Sequence, residues 1–390
     1  MPSTPNRTAS HETPVAILGG GVAGLSLALA LTRAGVGCRV YERSLDIGGG
    51  GMGFILMPDG LAALERLGCA DAVRQAGATA WRSEERSASG APLAEKVLPE
   101  HVCILRRALL PLLFAALPDG IVRQGIAFAG FDEGEHRAAR LVTDPGETSG
   151  ETVTAAAYVG ADGKRSRVRE ALFPAHRVEE TPVTELINGL HAPNVAEALR
   201  DRLLKFRDER GGLAVGLASV GEGEVVWYVQ FDRRAHPMPE DEADAKERFA
   251  RRLLRGWPEP LPDLIRRTDF SRSYLSEVVG MATLPRLYGG DTVLVGDAAH
   301  PLPTLLGQGA NAAVCDAVLL ADALLGNGGF SAEPAALQRA LTRYDRRRLP
   351  EVDALHREGR ARVDAFTRSA DRVGAPPPFS LREPSSRATL

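Results

Sequence analysis

A short apolar strand that runs into a glycine cluster, and from there straight into a helix former, constrains this chain more than any other feature. Val15-Ala-Ile-Leu18 leads into Gly19-Gly-Gly21-Val22-Ala23-Gly24, of the form Gly-x-Gly-x-x-Gly, and then into Leu25-Ser-Leu-Ala-Leu-Ala-Leu31. Gly19 permits a tight turn, Gly21 lets backbone approach a pyrophosphate, and Gly24 lets helix and strand pack closely. The free N–H groups at the helix start then face the phosphates, where the helix dipole favours negative charge. A second strand, Cys38-Arg-Val-Tyr41, ends in Glu42, about 20 residues past the glycines, where a carboxylate grips ribose hydroxyls. The set predicts an adenine dinucleotide site. A glycine loop without ligand leaves Glu42 unexplained.

At 390 residues the chain is long enough for two lobes, since single cores stop growing at roughly 250–300 residues. A net charge of −3 gives no electrostatic case for nucleic acid or an anionic membrane. The basic residues are almost all arginine; the lysines are Lys96, Lys164, Lys205 and Lys246. Cys38, Cys69, Cys103 and Cys315 lie far apart without metal-type spacing, so no metal is expected and the thiols read as buried and free in a reducing cytoplasm. The apolar run Ala108–Leu117 contains Pro111 and falls well short of the ~18 residues that span a bilayer. Residues 1–13 lack the apolar core of a signal peptide, and both they and the Pro/Ser/Arg-rich 374–390 read as disordered. Monomer and homodimer both stay open.

Along the chain, Leu61–Leu67 and Arg107–Leu117 read as helices, Trp81–Leu98 as two strands, and 121–160 as a β-meander. From about Pro182 to Gly280 the alternation of Leu213–Val220 and Glu224–Phe231 marks half-buried antiparallel strands, with a helix at Glu240–Gly256. The chain returns through the apolar strand Asp291–Val295, a long helix from Gly309 to Leu325, and an amphipathic region Pro334–Val373 broken near Pro350.

Three separated segments carry the chemistry: the Gly19–Glu42 fingerprint; Gly160-Ala-Asp162-Gly163-Lys-Arg-Ser-Arg167; and Gly296-Asp297-Ala-Ala-His300-Pro301-Leu-Pro303-Thr-Leu-Leu-Gly307-Gln308-Gly309-Ala310-Asn311. In this order and spacing they resemble the FAD-dependent aromatic hydroxylases, single-component monooxygenases of the para-hydroxybenzoate hydroxylase fold, over roughly residues 14–370. The resemblance implies an α/β architecture: a Rossmann-like (GR2-type) FAD-binding domain, an inserted antiparallel-sheet substrate domain and a C-terminal helical region. The division expected is 14–80, 99–178 and 280–330 for FAD, 81–98 and 179–279 for substrate, and 331–373 for the C-terminal helices.

The same resemblance implies FAD held by Gly19, Gly21, Val22, Ala23, Gly24, Glu42, Arg43, Arg106, Asp162, Gly163, Gly296 and Asp297, with Pro301, Gly307, Gln308, Gly309 and Ala310 around the flavin ring. Asp297 takes the ribityl chain or, failing that, caps the next helix. Arg107 is the alternative to Arg106, and His300 is left out of the catalytic set. NAD(P)H is a transient co-substrate, with Lys164, Arg165, Arg167 and Arg169 as charge for NADPH or as a solvated basic turn. The chemistry implied is flavin-centred: a C4a-hydroperoxide formed with O2 hydroxylates an aromatic or heteroaromatic small molecule, and no acid–base residue is assigned. Asn188, Trp227, Tyr228 and Gln230 are substrate candidates, and alternation sends Trp227 and Tyr228 to opposite faces. Four glycines, Gly48–Gly51, read as loop mobility or as a surface insertion. A same-fold reductase, a halogenase or a non-catalytic redox module are the alternatives; Trp81, Trp227 and Trp257 are isolated, unlike a halogenase's Trp-x-Trp-x-Ile-Pro.

Overall fold

The structure, a computed structural model, describes residues 13–49, 53–132, 137–143, 150–326 and 328–368. The expectations for residues 1–12, Gly50–Gly51 and the end of the chain past Arg368 lie outside the described residues.

Strands that are apolar on both faces belong in a parallel sheet covered on both sides, and the first lobe is built on one. Its six strands run Tyr288–Gly289, Thr292–Leu294, Ala155–Gly160, Thr13–Leu18, Cys38–Glu42 and Val122–Gln124. All are parallel except the first. Leu18 is in register with Gly160 on one side and Tyr41 on the other, so the glycine turn, Glu42 and Ala161–Asp162 emerge at one carboxyl edge. Helices Val22–Arg33 and Gly309–Leu325 cover the sheet with almost uninterrupted buried residues.

The meander expected over 121–160 is therefore only partly present. Ala127–Asp132, Ala138–Val142 and Glu151–Val153 form a small antiparallel sheet, but Val122–Gln124 and Ala155–Gly160 join the parallel sheet instead. The latter is buried at all six positions, the pattern of a central parallel strand rather than a half-exposed one.

The second sheet has eight strands, in the order Tyr274–Met281, Val178–His191, Glu224–Asp232, Leu213–Ser219, Asp201–Arg207, Ala78–Ser87, Pro92–Leu105 and Gly53–Leu56. One face packs on helices Pro193–Ala198, Ala243–Leu253 and Leu261–Arg267 through Trp227, Phe231, Phe249 and Phe270. The other meets the turn Thr304–Leu306 and the last helix through Val183, Ala214, Val278, Leu305, Val363 and Phe366.

The last helix does not break at Pro350. It is continuous over Pro334–Thr367, because its buried stripe is anchored on both sides of the proline. Leu341, Tyr344 and Arg348 precede it, and Val352, Leu355 and Val363 follow. Packing of that face offsets the lost hydrogen bond that would otherwise end a helix there. Cys38, Cys69, Cys103 and Cys315 are buried free thiols. Among the described residues no helix is long and apolar enough to cross a membrane, and no group of side chains could hold a metal ion.

Candidate functional site

The carboxyl edge of the parallel sheet opens into a cleft of about 410 Å³, lined by Gly19, Gly21, Val22, Ala23, Glu42, Arg43, Arg106, Asp162, Gly163, Asp297, Gly309 and Ala310. Segments almost 300 residues apart in the chain thus converge where ligands bind in doubly wound folds.

Each glycine of the fingerprint has its own reason. Gly19 has φ +118°, and a Cβ there would strike the Ala161 carbonyl. A Cβ on Gly24 would collide with the Gly19 carbonyl oxygen, so this glycine sits behind the wall and sets the helix–strand distance. Gly21 caps the helix with ordinary extended backbone, and nothing lies within 4 Å of a Cβ placed on it. Its bareness serves the cleft and not the packing. Gly21→Ala is therefore expected to leave the ligand-free protein within about 1 kcal/mol of its stability while weakening dinucleotide binding. Gly24→Ala should lower both, by an overpacking cost of roughly 1–3 kcal/mol. Chemical denaturation with and without added FAD separates the two.

Glu42 is held by the loop it serves. Its Oε2 accepts from the Gly20 N–H at 2.6 Å and its Oε1 from the Ser44 N–H at 2.7 Å. Asp162 Oδ2 accepts from the N–H groups of Arg167 and Val168, at 2.8 and 3.2 Å, whereas its Oδ1 is buried with no partner. Burial raises the Asp162 pKa. Asp297 is exposed and lines the cleft; the protein packed around it raises its pKa, against the pull of His300, Lys164, Arg169 and Arg106. Arg106 stands between two carboxylates: burial lowers its pKa while Glu42 and Asp297 act the other way. Arg107 is exposed, 3.5 Å from Glu224.

The turn carrying Asp297 is fixed from behind. Gly296, at φ +57°, donates its N–H to Asp316 Oδ2 at 2.6 Å, and the same oxygen lies 2.6 Å from His300 Nε2. Arg348 Nε donates to Asp316 Oδ1 at 2.5 Å. Arg169, nearly buried, donates to the carbonyls of Asp297 and Ala298. Pro301 is buried and does not line the cleft. Gly307 takes φ +64° and, with Gln308, packs on Met57, just ahead of Gly309.

The four substrate candidates divide by face. Trp227 is fully buried on the helix-covered side against Phe270, its indole N–H donating to Thr268. Asn188, opposite Trp227 in the register, accepts from Ser273 on that same side. Tyr228 and Gln230 lie on the opposite face, toward the Thr304 turn. Sequence reasoning missed Tyr41, Phe54, Ile126 and Phe128 in the cleft. Ile126–Phe128 showed only a strand pattern, which carries no sign of a ligand.

The model of the family described as FAD binding domain matches residues 12–358. A 3-amino-4-hydroxybenzoate 2-monooxygenase of Streptomyces platensis is 31% identical over 380 residues, covering 92% of this chain and 89% of the relative. The FAD-dependent urate hydroxylase of Klebsiella pneumoniae is 28% identical over 89% of each chain. Among solved structures, Klebsiella pneumoniae HpxO complexed with FAD and uric acid superposes with a TM-score of 0.79 at 23% identity, covering 93% of this chain and 90% of that one.

Proposed function

The chain belongs to the FAD binding domain family, the flavoprotein aromatic hydroxylases, and on that premise we propose that it uses NAD(P)H and O2 to hydroxylate an aromatic or heteroaromatic small molecule. The observation that carries the cofactor site is the convergence of Gly19–Glu42, Asp162–Gly163 and Asp297 on one cleft. The residues there fit FAD. Gly21 leaves room that a Cβ would take up, and Asp162 presents a buried oxygen with no partner.

In this reading the N–H groups at the start of Val22–Arg33 take the pyrophosphate. Glu42, oriented by the Gly20 and Ser44 amides, takes the adenosine ribose, with Arg43 beside the adenosine. Asp162 and Asp297 accept from hydroxyls of the cofactor's sugar chain. Arg106 balances the negative charge that Glu42 and Asp297 bring. The start of helix Gly309–Leu325 points its positive dipole end at the flavin ring, favouring negative charge there. When bound, FAD supplies the redox and oxygen-activating chemistry; the chain's own residues bind, orient and exclude water.

Lys164, Arg165 and Arg167 ring the Asp162–Gly163 loop, which suits them to receive a transient nicotinamide donor, NADPH slightly over NADH. The lobe on the six-stranded sheet serves the cofactor, and the eight-stranded sheet serves the substrate. Tyr228 and Gln230 are retained as substrate residues, and Asn188 and Trp227 belong to the core behind them. The relatives' names, a 3-amino-4-hydroxybenzoate monooxygenase and a urate hydroxylase, support a compact, electron-rich aromatic substrate.

The test is the purified protein's flavin spectrum, followed by NAD(P)H oxidation with phenols and heterocycles in air and under nitrogen. Substrate-stimulated, O2-dependent oxidation with one oxygen added to the product is expected. Anaerobic turnover would mark a reductase instead, and bound flavin without stimulated oxidation a redox module.

A further inference from the structure

The face of the eight-stranded sheet that meets the Thr304 turn carries a row of buried polar side chains. Lys205 Nζ donates to Gln230 Oε1 at 2.8 Å, and Gln230 Nε2 donates to Glu185 Oε1 at 2.7 Å. The three are 5%, 1% and 5% exposed. Strand register puts them there: Glu185 lies opposite Gln230, while Lys205 lies opposite Gly216 and Gly216 opposite Tyr228. Ammonium and carboxylate groups are costly to bury. Where packing is the only demand, the same face takes Val183, Ile187, Leu203 and Ala214.

The row reaches toward the turn that carries Asp297. Ile55 lines a cavity of about 20 Å³ together with Lys205 and Tyr228, on the face of its strand opposite to Phe54, which lines the dinucleotide cleft. Thr304, three residues beyond Pro301, stands beside the Glu185 carboxyl, and Lys164 acts electrostatically on both Glu185 and Asp297. The Tyr228 ring lies over Gly216, in space that any side chain at 216 would occupy. The cavity has room for about one water.

We propose that Lys205 is the counter-ion for an anionic oxygen on the substrate's ring, a carboxylate or a phenolate, held in place by Gln230 and Glu185. The proposal rests on the hydroxylase reading and names the substrate class within it. Charge supports it. Burial pulls Lys205 down to about 8, opposed by Glu85 from one neighbouring strand and Glu185 from the same face, and aided by Arg207 of its own strand and Arg362 of the last helix. The ammonium is thus present at neutral pH and lost just above it, and a bound anion keeps the proton on.

The holoenzyme is titrated with two matched pairs, benzoate against methyl benzoate and 4-nitrophenolate against 4-nitroanisole, following the flavin absorbance. The wild type is expected to prefer the anion in at least one pair, and which pair identifies the oxygen. In the benzoate pair that preference should be level from just above the carboxylate range to about pH 8 and fall about tenfold per pH unit above it, and the nitrophenol pair should follow the same fall above the phenol's own pKa. Lys205→Met should weaken the anion about tenfold or more and the neutral partner less than about threefold, with Lys205→Arg restoring most of the loss. Equal binding within both pairs, or equal loss of both members in Lys205→Met, would overturn the proposal in favour of a structural lysine. Flavin content checks that the variant is folded, and the wild-type pairs and pH profile decide the matter if it is not. Failure of the hydroxylase reading looks different: anions bind, but no oxygen enters any product.

Discussion

Asp297→Ala is expected to leave a folded protein that has largely lost its FAD. The turn that carries the residue does not depend on its side chain. Gly296 is held through its N–H by Asp316, and the carbonyls of Asp297 and Ala298 are held by Arg169. What the substitution removes is a carboxylate that lines the cleft and, in the proposed reading, the one or two hydrogen bonds it would accept from the cofactor. Hydrogen bonds to a charged group are worth roughly 1.5–3 kcal/mol each, so a loss of about 2–4 kcal/mol, or roughly 30- to 1,000-fold in Kd, is expected. Titration of the apoprotein with FAD, followed by flavin fluorescence, measures it. Asp297→Asn should fall between, keeping an acceptor without the charge. The sign with pH follows from the raised pKa: the carboxylate reprotonates earlier on acidification than an ordinary Asp, so FAD release in the wild type should begin at a higher pH than an ordinary Asp would give and shift downward in Asp297→Asn. Unchanged FAD affinity in both variants would mean that another carboxylate holds the sugar chain.

How much of this could be read without a fold depends on what kind of signal each element leaves. The glycine fingerprint and the Gly296–Asp297 turn are legible because local sterics alone restrict them: positive φ at Gly19 and Gly296 and the close carbonyl at Gly24 each exclude other residues. The long helix Gly309–Leu325 was legible to the residue, since a 17-residue apolar stretch bounded by glycines admits little else. By contrast, Val122–Gln124 is too short for periodicity to say which sheet it joins. Leu261–Arg267 is a seven-residue helix behind a proline and leaves no pattern above turn composition. The face problem at Trp227 and Tyr228 needed the register, because period-2 alternation states that neighbours diverge and not which of them lies under the helices. Lys205 and Glu185 were invisible for a related reason: a charge within an alternating strand reads as its solvated side, and only the last helix and the Thr304 turn, packed over that side, make it an interior.

The second large effect lies behind the cofactor turn. Arg348 is 4% exposed on the last helix, donates to the fully buried Asp316, and has Glu351 as a further partner. Asp316 in turn faces His300 and the Gly296 N–H. Burial alone would push the Asp316 carboxyl up, but His300 and Arg348 beside it, with the Gly296 amide, hold it below the usual range. Arg348→Met removes the cation and leaves the anion in the interior, a change that costs about 3–5 kcal/mol when a buried pair is broken from one side. Removing both charges, as Arg348→Met with Asp316→Leu, should recover part of that stability, since apolar replacements of similar volume can be neutral for a buried pair. It should not recover FAD affinity, because Gly296 then loses the acceptor that fixes its strained turn. A carboxylate with a lowered pKa contributes stability above its unfolded pKa and loses it as pH falls through the folded one. The wild type should therefore lose this contribution only in strongly acidic solution, and Arg348→Met should already lack most of it at pH 7. Denaturant midpoints at pH 7 and pH 4, with FAD titrations of the single and double variants, test both halves. A double variant that regains stability and FAD affinity together would show that the Asp316 network serves the last helix alone and not the cofactor turn.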